Sequence, residues 1–291
     1  MTHVTVLGLG IMGSGIAHNI LKAGYPLTVY NRTKEKAAPL IEVGAQWADS
    51  PALAAQHAEV VISMVGDDEA SRAMWLGPDG AFATLHPHAI AVECSTLSLD
   101  WIRAWHAEAQ QHAVKSIESP VGGSKLAAEA GTLTLLVGGE ADVLARVRPI
   151  LTTFSNNIMH FGPATSGTLY KLINNLQGAI HLQALSEGLV MAERAGLNMD
   201  AVLEGVLSGA ASSPMVKGKA ERVIDRDYED VHFTVRWMHK DLTYALRTAD
   251  ELGVPAPLVA AAREVYKMAI QLGWGDLDIA AVSEVIREQK P

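Results

Sequence analysis

A glycine-rich turn near the N-terminus constrains the fold of this chain more than any other feature. The apolar run 4–7 is typical of a strand, and it leads through Gly8-Leu9-Gly10-Ile11-Met12-Gly13 into a helical pattern over 14–23. A second apolar run, 27–30, follows directly after that helix. A strand, a glycine turn, a helix and a strand in this order predict a βαβ unit that binds a dinucleotide.

Each glycine of the turn has its own physical reason. Gly8 suits the tight turn, Gly10 lets the backbone approach a pyrophosphate, and Gly13 lets the helix pack on the strand. The N–H groups and the positive dipole end of the helix then face the phosphates. A glycine turn without a ligand is the alternative, and the surrounding strand and helix disfavour it. We therefore predict that residues 8–13 bind the cofactor.

The end of the second strand indicates which dinucleotide binds. An NAD site usually places Asp or Glu there, to hold the ribose 2′-hydroxyl. This chain has Asn31, Arg32 and Thr33 instead. A guanidinium can bind a 2′-phosphate with paired hydrogen bonds, whereas a carboxylate would repel it. We predict NADP(H) in preference to NAD(H), with a surface arginine without a ligand as the alternative.

The α/β alternation continues to residue 151, with further strand-like runs at 60–65, 89–93, 114–117 and 133–137. Ligands bind at the carboxyl ends of such strands. Val65 and Gly66 end one strand and are expected to contact the cofactor. Ser95 and Thr96 follow another, where their hydroxyls could contact the nicotinamide or the substrate. Ser and Thr are also common N-caps, here for the helix at 101–112, and both roles can hold.

The turn Gly122-Gly123-Ser124 follows the strand at 114–117. Backbone N–H groups in a turn of this kind can form a concave site for an anion. We predict that this turn binds the carboxylate of a small-molecule substrate.

The pattern becomes wholly helical after residue 163. Helices are predicted over 167–194, 200–207, 215–223, 235–252, 257–272 and 277–288. The predicted organisation is an α/β Rossmann domain at 1–162 and an all-α domain at 163–291, joined by a long interdomain helix that opens on a shared cleft. The long helix is apolar along more of its length than one small domain needs to bury. We therefore expect a homodimer or homotetramer that forms through the helical domain.

The long helix carries two predicted faces. Its apolar stripe is formed by Leu169, Leu172, Ile173, Leu176, Ile180, Leu185, Leu189 and Ala192. Lys171, Asn174, Asn175 and Gly178 line up on the other side. A solvated face is the alternative, but Asn and Gly are poor helix formers. We interpret this side as the wall of a site, where Lys171 moves a proton, Asn175 orients the substrate and Gly178 permits close approach.

In the helix at 235–252, Lys240 could reach the cofactor and Asp241 could reach the substrate or Lys171. From these residues alone a solvated Lys–Asp pair is the favoured interpretation. The eleven histidines have no spacing typical of a metal site, so no metal is expected.

Composition excludes several classes of partner. The 291 residues carry a net charge of −9, which argues against nucleic acid and against an anionic membrane surface. Cys94 is the single cysteine, so no intrachain disulfide is possible and a buried core position is expected. No apolar run is long enough to span a bilayer, and the N-terminus has no signal-peptide pattern. We expect a cytoplasmic location.

Five segments together resemble the β-hydroxyacid dehydrogenase family. This family includes 3-hydroxyisobutyrate dehydrogenases, tartronate semialdehyde reductases and glyoxylate/succinic semialdehyde reductases. GLGIMGSGIAHNI is similar to its cofactor motif, SPVGGSKLAAEAGTL to its substrate motif and GTLYKLINN to its catalytic helix. HKDL and GWGDLDIAAV are similar to its later signatures. The resemblance covers the whole chain.

The resemblance implies a role for several residues. Lys171 would be the catalytic lysine and Asn175 a substrate contact. Thr96 and Lys240 would contact the cofactor, while Gly122 and Gly123 would form part of the substrate anchor. Most members read P-V-S-G in that anchor, so one hydroxyl is missing here, and binding would rest on backbone N–H groups or on Ser124.

Ser124-Lys125 and the GWGDLD segment look most like the glyoxylate/succinic semialdehyde reductase branch, which favours NADPH. The resemblance thus implies NADPH-dependent reduction of a short semialdehyde or 2-oxo acid. A 3-hydroxyisobutyrate-type or tartronate semialdehyde-type dehydrogenase, or an imine reductase-like enzyme, stays open. Imine reductases usually lack the lysine that Lys171 supplies. A non-catalytic dinucleotide-binding sensor or scaffold is the alternative from a different class.

Overall fold

A computed structural model of the chain describes residues 2–288. The chain divides into two compact units, Met1–Lys171 and Leu172–Pro291. The division falls inside the long helix, and the predicted boundary after residue 162 stays a prediction. The last three residues of the predicted second domain lie outside the described residues.

The first unit is built on a nine-stranded sheet. Its strands are β1 (Val4–Leu7), β2 (Leu27–Tyr30), β3 (Gln46–Trp47), β4 (Val60–Ser63), β5 (Ile90–Glu93), β6 (Lys115–Glu118), β7 (Val121–Gly122), β8 (Leu133–Gly139) and β9 (Ser155–Gly162). They lie in the order β3-β2-β1-β4-β5-β6-β8-β7, and β9 pairs with β8. The pairs from β3 to β6 are parallel, whereas β8 runs antiparallel to β6 and β7. The order 3-2-1-4-5-6 is that of a Rossmann sheet, which confirms the predicted fold class.

Seven α-helices accompany these strands within the described part of the first unit. They are α1 (Ile11–Lys22), α2 (Ala38–Glu42), α3 (Pro51–Ala55), α4 (Asp68–Trp75), α5 (Leu99–Gln111), α6 (Lys125–Ala130) and α7 (Ala141–Leu151). Short 3₁₀ helices lie at Lys34–Ala37 and Ala81–Ala83. The pattern over 14–23 placed the start of α1 three residues too late, because the Gly10–Gly13 turn itself is already helical from Ile11.

Three strands were missed, namely the two-residue strands β3 and β7 and the eight-residue strand β9. The predicted set of strands ended at residue 137, but β9 follows and pairs in parallel with β8. Its sequence, SNNIMHFG, has one buried residue, Ser155, among eight. A strand at the edge of a sheet needs no apolar run, since one side of its ladder faces no other strand.

The two faces of the sheet bury separate apolar clusters. One cluster includes Ile16 and Ile20 of α1 and Leu144 of α7. The other includes three fully buried tryptophans, Trp75, Trp101 and Trp105. Because both faces are covered, every residue of β1, β4 and β5 is buried, as expected for a parallel sheet in an α/β domain.

Cys94 lies in the first of these clusters and is fully buried, as predicted. Burial, with a smaller effect from Glu93, raises the pKa of its thiol, which leaves it in the unreactive protonated form.

The second unit is all-helical over its described residues. Its helices are the continuation of α8 (Ser166–Arg194), α9 (Met199–Ser208), α10 (Pro214–Asp225), α11 (Val235–Glu251), α12 (Pro257–Gln271) and α13 (Val282–Glu288), with a 3₁₀ turn at Ile279–Ala281. None of the helices in residues 2–288 has the length and apolar character needed to cross a membrane.

The predicted apolar stripe of α8 is only partly correct. Leu172, Leu185 and Leu189 are buried, but Ile173 is 39% exposed. The buried face also includes four polar residues, Thr168, Asn175, Gln183 and Ser186. Because the prediction used apolar residues alone, the predicted stripe differs from the face of the helix that is buried.

A buried ion pair organises the segment GWGDLDIAAV. Asp278 is fully buried, and its carboxylate accepts hydrogen bonds from Lys219 Nζ at 2.7 and 2.8 Å. It also accepts from the backbone N–H groups of His232, Phe233 and Ala280. This one side chain thus joins α10, the loop before α11 and the turn before α13.

Candidate active site

The glycine turn has the geometry that its sequence predicts. Gly8 has φ +97°, a conformation that favours glycine, and a Cβ there would lie 2.3 Å from the Met64 carbonyl oxygen. A Cβ on Gly13 would lie 2.1 Å from the Gly8 carbonyl oxygen, so helix and turn are in direct backbone contact. A Cβ on Gly10 would meet no atom within 4 Å. Space therefore lies at the N-terminus of α1, and a pyrophosphate fits it.

Asn31 holds this turn in place. Its Oδ1 accepts a hydrogen bond from Leu9 N at 2.9 Å, and its Nδ2 donates to the Thr33 carbonyl oxygen at 2.8 Å. The amide thus links the glycine turn to the end of β2. Arg32 and Thr33, by contrast, are exposed at that end. Their contact with a 2′-phosphate stays a prediction.

Ser95 has a supporting position in the structure. It is fully buried, its hydroxyl accepts a hydrogen bond from Val65 N at 2.8 Å, and its own N–H donates to Glu93 Oε1 at 2.9 Å. Ser95 therefore ties the loop after β4 to the loop after β5. Its predicted contact with substrate stays untested, as do the predicted cofactor contacts of the half-buried Gly66 and Thr96.

The N-cap of α5 was misassigned. Ser98 occupies that position, and its hydroxyl accepts from Trp101 N at 3.2 Å, so neither Ser95 nor Thr96 caps the helix. The pattern over 101–112 placed the helix start two residues late, which moved the expected cap with it.

The predicted carboxylate anchor connects β7 to α6. Gly123 has φ +129° and is exposed, whereas Gly122 is half-buried at the end of β7. Ser124 is the N-cap of α6, and its hydroxyl accepts weakly from Ala127 N at 3.4 Å. The turn therefore has the glycine conformation and the helix N-terminus that a carboxylate site can use.

Lys171 lies in the first turns of α8 and is half-buried at the end of the first unit. Asn175 follows four residues later on the same helix, and belongs to the second unit. Residues at this spacing project from one face of a helix, one turn apart. The structure therefore has the two predicted catalytic residues on the same helix.

Asn175 is buried, and both ends of its amide are engaged. Its Nδ2 donates to Asp241 Oδ2 at 2.6 Å, and its Oδ1 accepts from Asn174 Nδ2 at 3.2 Å. The carboxylate can only accept, so it fixes which end of the amide carries the N–H groups. The contact of Asn175 with a substrate stays a prediction.

The structure also describes the other two members of the predicted polar face. Asn174 is exposed. A Cβ on Gly178 would lie 3.0 Å from Met215 Cε, so the close approach there is by α10.

Lys240 and Asp241 form an ion pair, at 3.0 Å between Nζ and Oδ1, but the pair is not solvated. The side chains are 14% and 1% exposed, and Lys240 Nζ lies 5.0 Å from the Tyr244 ring centroid. The favoured interpretation of a solvated pair is therefore wrong. Packing against an aromatic ring stabilises a cation in a partly dry environment.

Two buried glutamates were missed by the sequence reasoning. Glu93 and Glu118 are fully buried at the ends of β5 and β6. Burial raises the pKa of Glu93, although hydrogen bonds from Ser95, Ser71 and Trp75 oppose that rise. In the sequence, each of these glutamates stands alone at the end of a strand, next to a loop that was predicted to bind a ligand. This position is the sequence feature that could have indicated both residues.

Within residues 2–288, no cluster of three or more His, Cys, Asp or Glu side chains could hold a metal ion.

Comparison with known proteins identifies the family. The NAD binding domain of 6-phosphogluconate dehydrogenase matches residues 3–162, and the NAD-binding domain of NADP-dependent 3-hydroxyisobutyrate dehydrogenase matches residues 165–286. Glyoxylate/succinic semialdehyde reductase 1 of Arabidopsis thaliana is 33% identical over 98% of each chain. The NAD-dependent L-serine dehydrogenase of Pseudomonas aeruginosa is 30% identical over 98% of each chain.

A comparison with solved structures indicates the same family. Mycobacterium tuberculosis 3-hydroxyisobutyrate dehydrogenase with L-serine is 29% identical, with a TM-score of 0.88 and 99% of both chains covered. The two family matches, the relatives and the fold all indicate the same family. This chain belongs to the β-hydroxyacid dehydrogenase family of NAD(P)-dependent oxidoreductases.

Proposed function

We propose that this enzyme is an NADPH-dependent reductase of a short semialdehyde or 2-oxo acid, such as succinic semialdehyde or glyoxylate. The observation that carries the proposal is the placement of Lys171 and Asn175 one turn apart on the continuous helix α8. Two reductases of this substrate class, from Arabidopsis thaliana, support the choice of substrate.

Bound NADPH supplies the hydride that reduces the substrate carbonyl carbon. Negative charge then develops on the carbonyl oxygen. Lys171 Nζ donates a proton to that oxygen as a positioned general acid, and accepts it back in the oxidative direction. Asn175, held by Asp241, orients the substrate with its remaining N–H. Donors fixed before the reaction stabilise the developing charge without having to reorganise.

The preference for NADPH rests on Arg32. The side chain is exposed at the end of β2, where the ribose of a dinucleotide binds in a Rossmann domain. Arg32→Asp is expected to lower the ratio of kcat/KM for NADPH over NADH by about tenfold or more, because a charge-assisted hydrogen bond contributes about 1.5–3 kcal/mol. Steady-state kinetics with both cofactors measures the ratio. Arg148→Asp, on the exposed side of α7, is the control, and an unchanged ratio in Arg32→Asp would contradict the assignment.

The substrate anchor offers a second test. A Cβ on Gly122 would lie 3.7 Å from Thr134 Cβ, an ordinary contact, so a serine fits there. Gly122→Ser restores the hydroxyl of the family pattern and is expected to lower KM for glyoxylate or succinic semialdehyde by roughly tenfold. In the control, Gly123→Ser, φ is +129° and the new Cβ would lie 3.0 Å from Leu133 Cδ2, so activity should fall. A higher KM in Gly122→Ser would mean that the substrate carboxylate binds elsewhere.

A substrate panel tests the proposal itself. Purified protein is mixed with NADPH or NADH and with glyoxylate, succinic semialdehyde, tartronate semialdehyde or a cyclic imine, and absorbance is followed. The reverse reaction is followed with 3-hydroxyisobutyrate and L-serine. NADPH-linked reduction of glyoxylate or succinic semialdehyde, faster than that of every other compound, is the expected result. If none of the acids reacts although NADPH still binds, the proposal is refuted, and an imine substrate or a binding role is favoured.

The second candidate is a dehydrogenase of 3-hydroxy acids, including L-serine. The relative from Pseudomonas aeruginosa and the structure from Mycobacterium tuberculosis favour it by name. NAD⁺-linked oxidation of L-serine or 3-hydroxyisobutyrate as the fastest reaction of the panel would establish this alternative. The cytoplasmic location stays a prediction.

We also propose a homodimer or homotetramer formed through the helical domain. Helix α9 buries none of its residues, although Val202, Leu203, Val206 and Leu207 form an apolar face on it. Nearby Met191 is 71% exposed and Leu197 is 55% exposed. Light scattering on the purified protein is expected to give two or four times the chain mass of 31.0 kDa. A mass of one chain would contradict the proposal.

A further inference from the structure

A buried glutamate contacts the first turn of the helix that carries Lys171. Glu118 ends β6 and is fully buried, and its Oε1 accepts a hydrogen bond from Gly167 N at 3.1 Å. Gly167 is the second residue of α8. In an α-helix the N–H of residue 171 bonds to the carbonyl of residue 167. Glu118 is therefore bonded to the same turn that sets the backbone of Lys171.

Direct backbone contacts surround this bond. A Cβ on Gly167 would lie 2.2 Å from the Leu136 carbonyl oxygen and 2.7 Å from Gly138 N. A Cβ on Gly138 would lie 1.9 Å from Glu118 Oε1. The start of α8 thus lies against β8 with no side chain between them, and the Glu118 carboxylate occupies the remaining space.

The residue that leads into the helix is strained. Thr165 has φ +79°, which a β-branched residue rarely adopts, and its carbonyl accepts from Leu169 N at 2.9 Å. Such a conformation persists only when the surrounding structure fixes it. The contacts of Gly167 with Glu118 and β8 can fix it, alongside the bond from Ser166 N to the Pro163 carbonyl at 3.1 Å and the stacking of Phe161 on Tyr170.

The second oxygen of Glu118 is held by a histidine. Glu118 Oε2 lies 2.6 Å from His106 Nε2, and His106 Nδ1 lies 2.8 Å from Ser116 Oγ. The carboxylate can only accept, so Nε2 carries the hydrogen. The Ser116 hydroxyl can donate to Nδ1, which completes the chain of hydrogen bonds. The N-terminus of a 29-residue helix further stabilises the negative charge.

We propose that Glu118 is a positioning residue for Lys171, and that His106 and Ser116 hold its carboxylate in place. The catalytic part of this inference rests on the proposed function, in which Lys171 Nζ transfers the proton. Glu118 acts through the backbone of the first turn of α8. A misplacement of about 1 Å can lower a rate by about 100-fold, so a loosened first turn is expected to slow the chemical step.

The test compares Glu118→Ala and Glu118→Gln with a control, Glu140→Gln. Glu140 is exposed and pairs with Lys115 on the surface. Hydrogen exchange of the backbone amides at 166–172 reports the first turn and needs no substrate. The single-turnover rate constant of enzyme-bound NADPH, with the best substrate of the panel, reports the chemical step. As a first-order constant it does not depend on the fraction of folded enzyme, which a purely structural role would change.

In Glu118→Ala we expect exchange at 166–172 at least tenfold faster, exchange in α12 unchanged, and a single-turnover rate constant lowered by 10- to 100-fold. Glu118→Gln keeps an acceptor for Gly167 N–H, while its NH₂ can face His106, so it should retain most of the rate. If Glu118→Ala does not fold, His106→Ala replaces it and is expected to show smaller changes of the same sign.

Unchanged exchange at 166–172 would overturn the proposal, and so would faster exchange with an unchanged rate constant. A Glu118→Gln variant as slow as Glu118→Ala would also overturn it, since the acceptor is then present without effect. If the unmodified enzyme reduces no compound of the panel, the proposed function fails, and the exchange measurement alone decides whether Glu118 fixes the first turn.

Discussion

Replacement of Lys171 by alanine is expected to lower kcat by about 10²–10⁴-fold, which corresponds to roughly 3–5 kcal/mol of activation free energy. The variant removes the proposed general acid and leaves the glycine turn of residues 8–13 unchanged. NADPH should therefore still bind, with a Kd close to that of the unmodified enzyme. Steady-state kinetics and a fluorescence titration with NADPH measure the two effects.

Two further variants sharpen this test. Lys171→Arg keeps the positive charge, but a guanidinium does not give up its proton near neutral pH. If proton transfer dominates, the arginine variant should be nearly as slow as the alanine variant. If electrostatic stabilisation of the oxyanion dominates, it should recover much of the rate. Lys217→Ala, on the exposed side of α10, is the matched control. Near-normal turnover in Lys171→Ala would remove this residue from the mechanism.

Replacement of Asp278 by alanine is expected to lower the free energy of unfolding by about 3–5 kcal/mol. The variant leaves the Lys219 ammonium, 9% exposed, without the carboxylate at 2.7 Å, and it removes the acceptor of three backbone N–H groups. An unpaired buried charge costs much more than the loss of a surface pair. Urea unfolding followed by circular dichroism measures the difference.

Asp276→Ala is the matched control, two residues away in the same segment. Asp276 pairs with Arg236 at 3.1 Å, but its side chain is 84% exposed, so a change below about 1 kcal/mol is expected. Equal losses in the two variants would mean that the buried pair contributes no more than the surface pair.

The contribution of Asp278 should also depend on pH. Burial alone would raise the pKa of this carboxyl, but Lys219 and the backbone N–H groups together hold the pKa below its ordinary value. A lowered pKa in the folded state gives stability that is present above the unfolded pKa of about 3.9 and is lost as the pH falls further. The difference between the unmodified protein and Asp278→Ala should therefore be constant near neutral pH and shrink below about pH 4.

Local patterns in the sequence predicted the first unit well. The runs at 4–7 and 27–30 are the strands β1 and β2 as observed, and the glycine turn between them has the expected geometry. These features depend on burial and backbone conformation within a few residues of each other. Strand β9 escaped because an edge strand needs no apolar run, and its residues carry none.

Such local patterns did not predict the roles of residues that act through partners far away in the sequence. Asn175 was predicted to lie on the wall of a site and Asp241 to reach the substrate or Lys171, but the hydrogen bond between these two residues, 66 positions apart, was not predicted. Glu118 was assigned no role because the bond that defines it reaches Gly167, 49 residues away. A buried polar side chain is stable only with such a partner, and the partner is known only after the chain has folded.

The sequence by itself therefore determined the family, the Rossmann fold class of the first unit, the glycine turn and the helix that carries Lys171. Periodicity and glycine placement encode these features locally. The tertiary structure alone decided which residues bond to that helix, with Glu118 accepting from Gly167 and Asp241 accepting from Asn175. Those contacts join residues far apart in the chain, so their existence follows from packing and has no signature in any one segment.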